Sequence, residues 1–318
     1  MAGIYIHIPF CQSRCIYCDF YSTLHLDKRE AYVEQLCREM LERKDELLTR
    51  ARAYNTLYVG GGTPSTLPPS LLQKVLLRTA EIFPLATDAE VTVEANPDDV
   101  TSEWIAMLKD TPVNRVSMGT QTFNDQLLHF LNRRHNSQQA ERAVSMLQDA
   151  GFTNLSIDLI YGIPGQTRQI WEQDVRKAIS LRTPHLSAYS LMYEEGTPIT
   201  RLRDKGQIEE MDEDTSLWCY EHLCQQLSEA GFQHYEISNF ALPGFHSRHN
   251  SSYWEGLPYL GFGAGAHSYD GKDVRRWNES DLLGYIAHGA RYETEQLTET
   301  DLYNEHVMTR LRTHQGID

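Results

Sequence analysis

Gly3-Ile4-Tyr5-Ile6-His7-Ile8-Pro9-Phe10-Cys11-Gln12-Ser13-Arg14-Cys15-Ile16-Tyr17-Cys18-Asp19-Phe20 is the stretch on which the reading of this chain turns. Ile4–Ile8 reads as a short strand, and Pro9, which cannot donate to a sheet ladder, ends it. The loop that follows carries Cys11-x-x-x-Cys15-x-x-Cys18. Thiolates suit zinc and iron–sulfur clusters. A structural zinc site normally takes four ligands, often as two pairs. No second Cys-x-x-Cys follows here, and Cys37, Cys219 and Cys224 are scattered over helical patterns. Three thiolates leave one iron of a 4Fe-4S cubane open, and the amino and carboxylate groups of S-adenosylmethionine can chelate it. A reduced cluster can then pass one electron to the sulfonium and break a C–S bond. Two plainer readings stand beside this one: a zinc ion completed by a distant histidine, and unligated thiols. The coincidence of a short strand, a three-cysteine loop and an aromatic residue before the last cysteine favours the cluster.

The composition around this stretch narrows the classes. The chain has 318 residues, 41% hydrophobic and 23% charged, enough to bury a sizeable core. Lys and Arg number 29 against 44 Asp and Glu, a formal net charge of −15. Such a chain is a poor general binder of phosphate backbones, so no nucleic-acid partner is expected. It also lacks the polybasic run that an anionic membrane surface attracts. The start of the chain has no basic region and too short an apolar stretch for a signal peptide, and no run reaches a membrane span. Three of the six cysteines lie within eight residues, which suits metal binding in a reducing compartment. A cytoplasmic location is expected.

Downstream, β-rich runs alternate with helical patterns. The strands are read at Ile4–Ile8, Thr56–Val59, Glu90–Glu94, Arg115–Met118, Asn154–Ile160 and His185–Leu191, the helices at Arg29–Leu48, Ser70–Phe83, Ser102–Leu108, Ser137–Ala150 and Arg168–Leu181. Six such repeats predict an α/β fold with a parallel sheet and helices outside. Pattern alone leaves a partial barrel and an open sheet both standing. After about Thr200 the rhythm changes: a charged linker from Asp204 to Asp214, a helix near Thr215–Ala230, a Gly-, Tyr- and Trp-rich region from His234 to Tyr269, and a helix start at Asn304–Arg312. We divide the chain into a core, 1–200, and a C-terminal accessory region, 201–318, whose end at Asp318 reads as a truncation.

Polar residues mark the strand ends, where a parallel barrel places its active site. Gly60-Gly61-Gly62-Thr63-Pro64 follows the second strand, and its glycines would let a ligand approach the backbone. It is not a phosphate loop, because no Gly-Lys-Ser/Thr follows. Glu94 closes the third strand, Gln121 follows the fourth, and Asp158 sits in the fifth. Each could be a structural hydrogen bonder. Four such sites converging on the mouth that carries the cysteines favour a cofactor site.

The opening stretch resembles that of the radical-SAM group that contains oxygen-independent coproporphyrinogen III oxidase and a haem-chaperone branch, and the resemblance runs through essentially the whole chain. It implies a partial TIM-type (β/α)6 barrel with an appended C-terminal α+β region. It implies that Cys11, Cys15 and Cys18 hold the 4Fe-4S cluster. It further implies that Gly61, Gly62, Thr63, Glu94, Gln121, Asp158 and Arg133, which has Arg134 beside it, bind S-adenosylmethionine, together with Tyr5 and Tyr17. The Tyr17 position is tied in the oxidase to a second molecule of that cofactor.

Two features separate the branches. The oxidase has a fourth cysteine two residues after the third; here that position is Phe20. His249-Asn250-Ser251-Ser252-Tyr253-Trp254 is similar to the H-N-x-x-Y-W motif of the haem-chaperone branch. Read from composition, His249 is a surface histidine in a turn beside core aromatics. Read through the resemblance, it is the candidate haem ligand, with Tyr253 and Trp254 as supports. His267, after the glycine run that starts at Gly261, receives no role. The expected function is a haem chaperone delivering haem to an acceptor protein that the sequence does not identify. The alternatives are a radical enzyme acting on a tetrapyrrole and a zinc-stabilised module, so enzymatic activity stays open. The family resemblance also allows a homodimer and peripheral membrane association, although no segment shows either.

Overall fold

The computed structural model describes residues 2–47 and 53–317. Six parallel strands form the centre: β1 (Gly3–Ile8), β2 (Tyr54–Gly61), β3 (Leu85–Ala95), β4 (Arg115–Gln121), β5 (Asn154–Tyr161) and β6 (His185–Ser190), neighbours in that order. Between them run α1 (Arg29–Glu42), α2 (Pro69–Ile82), α3 (Ser102–Lys109), α4 (Asp125–Phe130), α5 (Ser137–Asp149) and α6 (Arg168–Ser180). This is the partial barrel that the resemblance implied. The short α4 adds a helix to those the sequence pattern predicts, and Asn124 caps it by accepting from the amides of Gln126 and Leu127.

The strands alternate, as a period of two demands. Ile4, Ile6 and Ile8, Leu57 and Val59, Val91 and Val93, and Ile157 belong to one buried core with helix residues such as Leu36, Leu72, Val144 and Trp171. The intervening residues face inward and are polar: Thr56 and Tyr58, Glu90 and Glu94, Ser156 and Asp158. Strands of a parallel sheet buried on both faces usually read as continuous apolar runs. The polar second face here is the signature of a lined interior.

The C-terminal region extends this sheet at both edges. α7 (Pro198–Asp204) and α8 (Glu213–Glu229) lead to β7 (Gln233–Glu236) and β8 (Asn239–Ala241), and β8 pairs antiparallel with β6. α9 (Arg248–Trp254) follows. Then β9 (Tyr259–Phe262) adds parallel to β1, with β10 (His267–Tyr269), β11 (Val274–Asn278) and β12 (Tyr292–Gln296) beyond it in antiparallel order. α10 (Leu282–His288) and α11 (Glu299–Arg312) complete the chain.

One buried charge cluster fastens this second half to the first. The expected helix Arg29–Leu48 ends at Glu42, and Leu48 lies outside the described residues. Arg43 turns away to pair with Glu39 at 2.7 Å and to donate to the Gly261 carbonyl at 2.7 Å and the Ser268 hydroxyl at 3.0 Å. Glu39, fully buried, also accepts from the Gly263 amide, the Asn278 side chain and the Tyr285 hydroxyl. Removing Arg43 would leave Glu39 buried without a counter-charge, at a cost of about 3–5 kcal/mol, whereas Arg43 keeps a second partner in Glu46 at 3.0 Å.

Candidate functional site

The cysteine loop leaves the end of β1 and folds over the mouth of the barrel. Cys11, Cys15 and Cys18 border one cavity of about 380 Å³, and none is in a disulfide. The Cys11 thiol lies 3.5 Å from the Thr63 hydroxyl, and Arg133 donates to Cys15 Sγ at 3.3 Å. Burial pushes the Cys11 thiol up and the Cys18 thiol up to about 11. Among the described residues no three such side chains converge as a single-ion site.

The glycine loop explains how the backbone comes so close. A Cβ on Gly62 would stand 2.9 Å from both the Pro9 carbonyl carbon and the Phe10 carbonyl oxygen, and 3.1 Å from Cys11 Sγ. Gly61 has φ +114, a conformation that disfavours side chains, and a Cβ there would meet the His7 ring at 2.7 Å.

The same cavity is lined by Tyr17, Gly61, Gly62, Thr63, Glu94, Gln121, Arg133 and Asp158. Glu94 Oε1 accepts from the Tyr58 hydroxyl at 2.7 Å and Oε2 from the Gly61 amide at 3.2 Å. Burial, and then the charge of Asp158, push Glu94 up to about 7. Burial likewise lifts Asp158 to about 6. Gln121 takes a left-handed φ of 69 at the β4–β5 register shift, where it pairs with Leu159. Arg133 is tied to the Asn96 side chain and the Gly119 carbonyl, both at 2.6 Å. The adjacent Arg134 instead pairs with Asp98 and Asp99. The cavity thus presents buried carboxylates, a fixed guanidinium and exposed backbone beside three thiols. This donor set fits the amino, carboxylate and sulfonium groups of an amino-acid-like cofactor next to a cluster.

The structure also brings in residues that the sequence did not single out. Arg115, at the start of β4, lies almost wholly buried on the cavity wall with Nε unpartnered. Only its register opposite Thr92 and Asn154 shows that it points inward. Tyr5 does not reach the cysteine cavity. It lines a second cleft behind the cysteine loop and donates to His7 Nδ1 at 3.0 Å.

His249 lies elsewhere again. α9 closes the N-terminal end of the strands, opposite the cysteines. Glu90 accepts from the amides of Arg248 and His249, and the His249 ring sits against Thr56 at 2.8 Å and Tyr253 at 2.8 Å. The imidazole is fully buried, stacks on Tyr58 at 5.0 Å, and has both nitrogens engaged. Burial lowers it to about 3. Trp254 lies under the Arg312 guanidinium at 4.6 Å.

The sequence profile of the Radical SAM superfamily matches residues 5–178. A protein named haem chaperone HemW from Lactococcus lactis is 39% identical over 317 residues, covering 98% of this chain and 82% of that protein. The Escherichia coli protein of the same name is 36% identical over 320 residues, with 98% and 82% covered. Among solved structures, the radical SAM enzyme coproporphyrinogen III oxidase (HemN) from Escherichia coli superposes with a TM-score of 0.83 at 24% identity, over 98% of this chain and 75% of that one. That likeness establishes the fold.

Proposed function

Because this chain belongs to the radical SAM superfamily and, within it, to the haem chaperone HemW family, we propose that it binds haem and hands it to an acceptor protein. A 4Fe-4S cluster on Cys11, Cys15 and Cys18, with S-adenosylmethionine beside it, supplies one-electron chemistry or a ligand-sensitive switch when bound. The observation that carries this reading is the single cavity that joins the three thiols to Glu94, Gln121, Arg133 and Asp158. Arg133 suits the cofactor's carboxylate, and Glu94 suits the N–H groups of its amino nitrogen. Tyr17 and Thr63 flank the thiols, and Gly61 and Gly62 let the ligand lie on the backbone. Phe20, where the oxidase has its fourth cysteine, weighs against oxidative decarboxylation as the main activity.

No helix among the described residues is long and apolar enough to cross a membrane, and the cysteine usage supports the cytoplasm. The family resemblance adds a homodimer and a peripheral membrane contact to the partners to be sought with the acceptor. Anaerobic reconstitution followed by parallel haem and S-adenosylmethionine titrations tests the reading. We expect iron and sulfide in cluster ratio and one haem per chain. Turnover of coproporphyrinogen III to protoporphyrinogen without retained haem would instead establish the enzymatic alternative.

A further inference from the structure

The cleft behind the cysteine loop has an open volume of about 600 Å³, within the range of small-molecule sites. Its walls are aromatic: Tyr5, Phe20, Tyr21, Tyr253 and Tyr259. Phe20, 69% exposed, lines both this cleft and the cysteine cavity, so the loop that follows Cys18 is a wall common to the two.

Two histidines face the cleft, and they differ in chemistry. His7 has both ring nitrogens engaged, one with the Tyr5 hydroxyl and one with the Tyr21 carbonyl, each at 3.0 Å. His267 on β10 is exposed, and among the described residues its ring has no hydrogen bond and no ion pair. It is held by packing alone, stacked on Trp277 at 5.7 Å between ring centres with a 20° tilt. An oriented imidazole with free nitrogens beside an aromatic cleft is what axial ligation of an iron macrocycle requires. His249 has neither accessibility nor a free nitrogen. It reaches the cleft through Tyr253, whose hydroxyl it holds and whose ring packs edge-on against Tyr259 at 4.8 Å.

We propose that haem sits in this cleft with His267 as the axial ligand that the protein supplies, the cleft aromatics against the macrocycle, and His249 as a positioning residue for Tyr253. The proposal rests on the haem-carrier reading above. Partial desolvation of the ring against Trp277 and the cleft, and next the charge of Arg275, lower the affinity of His267 for a proton, which keeps its lone pair available to iron. The site lies against Phe20 and so beside the cluster loop, which gives loading of the cysteine cavity a direct route to the cargo.

The test is titration of the anaerobically reconstituted full chain with haem, followed by Soret absorption and electron paramagnetic resonance. His267→Ala is expected to shift the Soret band and weaken binding at least tenfold, and added imidazole to restore the wild-type spectrum. His306→Ala, a change of an exposed histidine on α11, is expected to alter neither. A His267→Ala protein with wild-type spectrum and affinity would overturn the assignment while leaving the carrier reading intact. So would a His249→Ala protein that alone loses the imidazole-ligated spectrum. Failure of the wild-type chain to take up haem with its cluster loaded would overturn both.

Discussion

His249 Nδ1 lies 2.8 Å from the Thr56 hydroxyl, and through it α9 is fastened to the floor of the barrel. A fully buried imidazole pushed down to about 3 is neutral in the folded chain, whereas it titrates near 6.5 when unfolded. Between those values the unfolded chain binds a proton that the folded chain refuses. The stability from His249 is therefore complete above pH 6.5 and is lost as the pH falls toward 3, at up to about 1.4 kcal/mol per pH unit. We expect His249→Gln to cost about 2 kcal/mol at pH 7.5 and clearly less at pH 5. Urea denaturation at the two pH values checks this, and an equal cost at both would contradict it.

Glu94 sets the pH dependence of cofactor binding. Its carboxyl, lifted to about 7, is largely protonated at pH 6. Accepting from the cofactor's amino group favours the carboxylate, so binding expels that proton. Affinity for S-adenosylmethionine should fall as the pH drops below 7, and calorimetry in buffers of different ionisation heat should register proton release. Glu94→Gln should weaken binding at pH 8 by roughly tenfold or more, as expected for a charge-assisted hydrogen bond, and flatten the pH profile. A profile unchanged in Glu94→Gln would assign the titration to Asp158.

Much of this site was legible because chemistry and period coincide. The cysteine spacing, the glycine loop and the alternation of apolar and polar residues place Cys11, Gly62, Glu94 and Asp158 on one mouth from the sequence alone. What escaped was long-range. Tyr5 and Glu94 both face inward, yet Tyr5 is drawn to the second cleft by its bond with His7. The burial of His249 depends on Glu90 and Thr56, far from it in sequence. The free nitrogens of His267 follow from a strand pairing that puts it on Trp277. No local signal encodes these contacts.

Arg133 and Arg134 are neighbours with opposite duties. Arg133 is aimed at the thiols by Asn96 and Gly119, while Arg134 is spent on Asp98 and Asp99. Arg133→Lys should weaken S-adenosylmethionine binding tenfold or more, because an ammonium cannot reproduce the fork that a carboxylate accepts. Arg134→Ala should change affinity less than twofold and stability by about 1 kcal/mol. Side-by-side titrations of the two variants decide which arginine serves the cofactor.

Gly62 offers the sharpest test of the cysteine loop, because its constraint is steric and not conformational. A methyl group there would press on the backbone of Pro9 and Phe10 and on the Cys11 sulfur, and two of those three neighbours are main-chain atoms that cannot rotate away. The loop must shift, and overpacking of this kind costs about 1–3 kcal/mol. Gly256 reverses the case: its φ is +64, but nothing lies within 4 Å of an added Cβ. Gly256→Ala should therefore cost about 1 kcal/mol of stability and leave the cysteines where they are. We expect Gly62→Ala to fold yet to retain less than half the iron and sulfide of wild type after anaerobic reconstitution and desalting, with Gly256→Ala retaining all of it. Full cluster retention in Gly62→Ala would mean that the loop tolerates displacement, and that close approach of Gly62 to Cys11 is not what shapes the site.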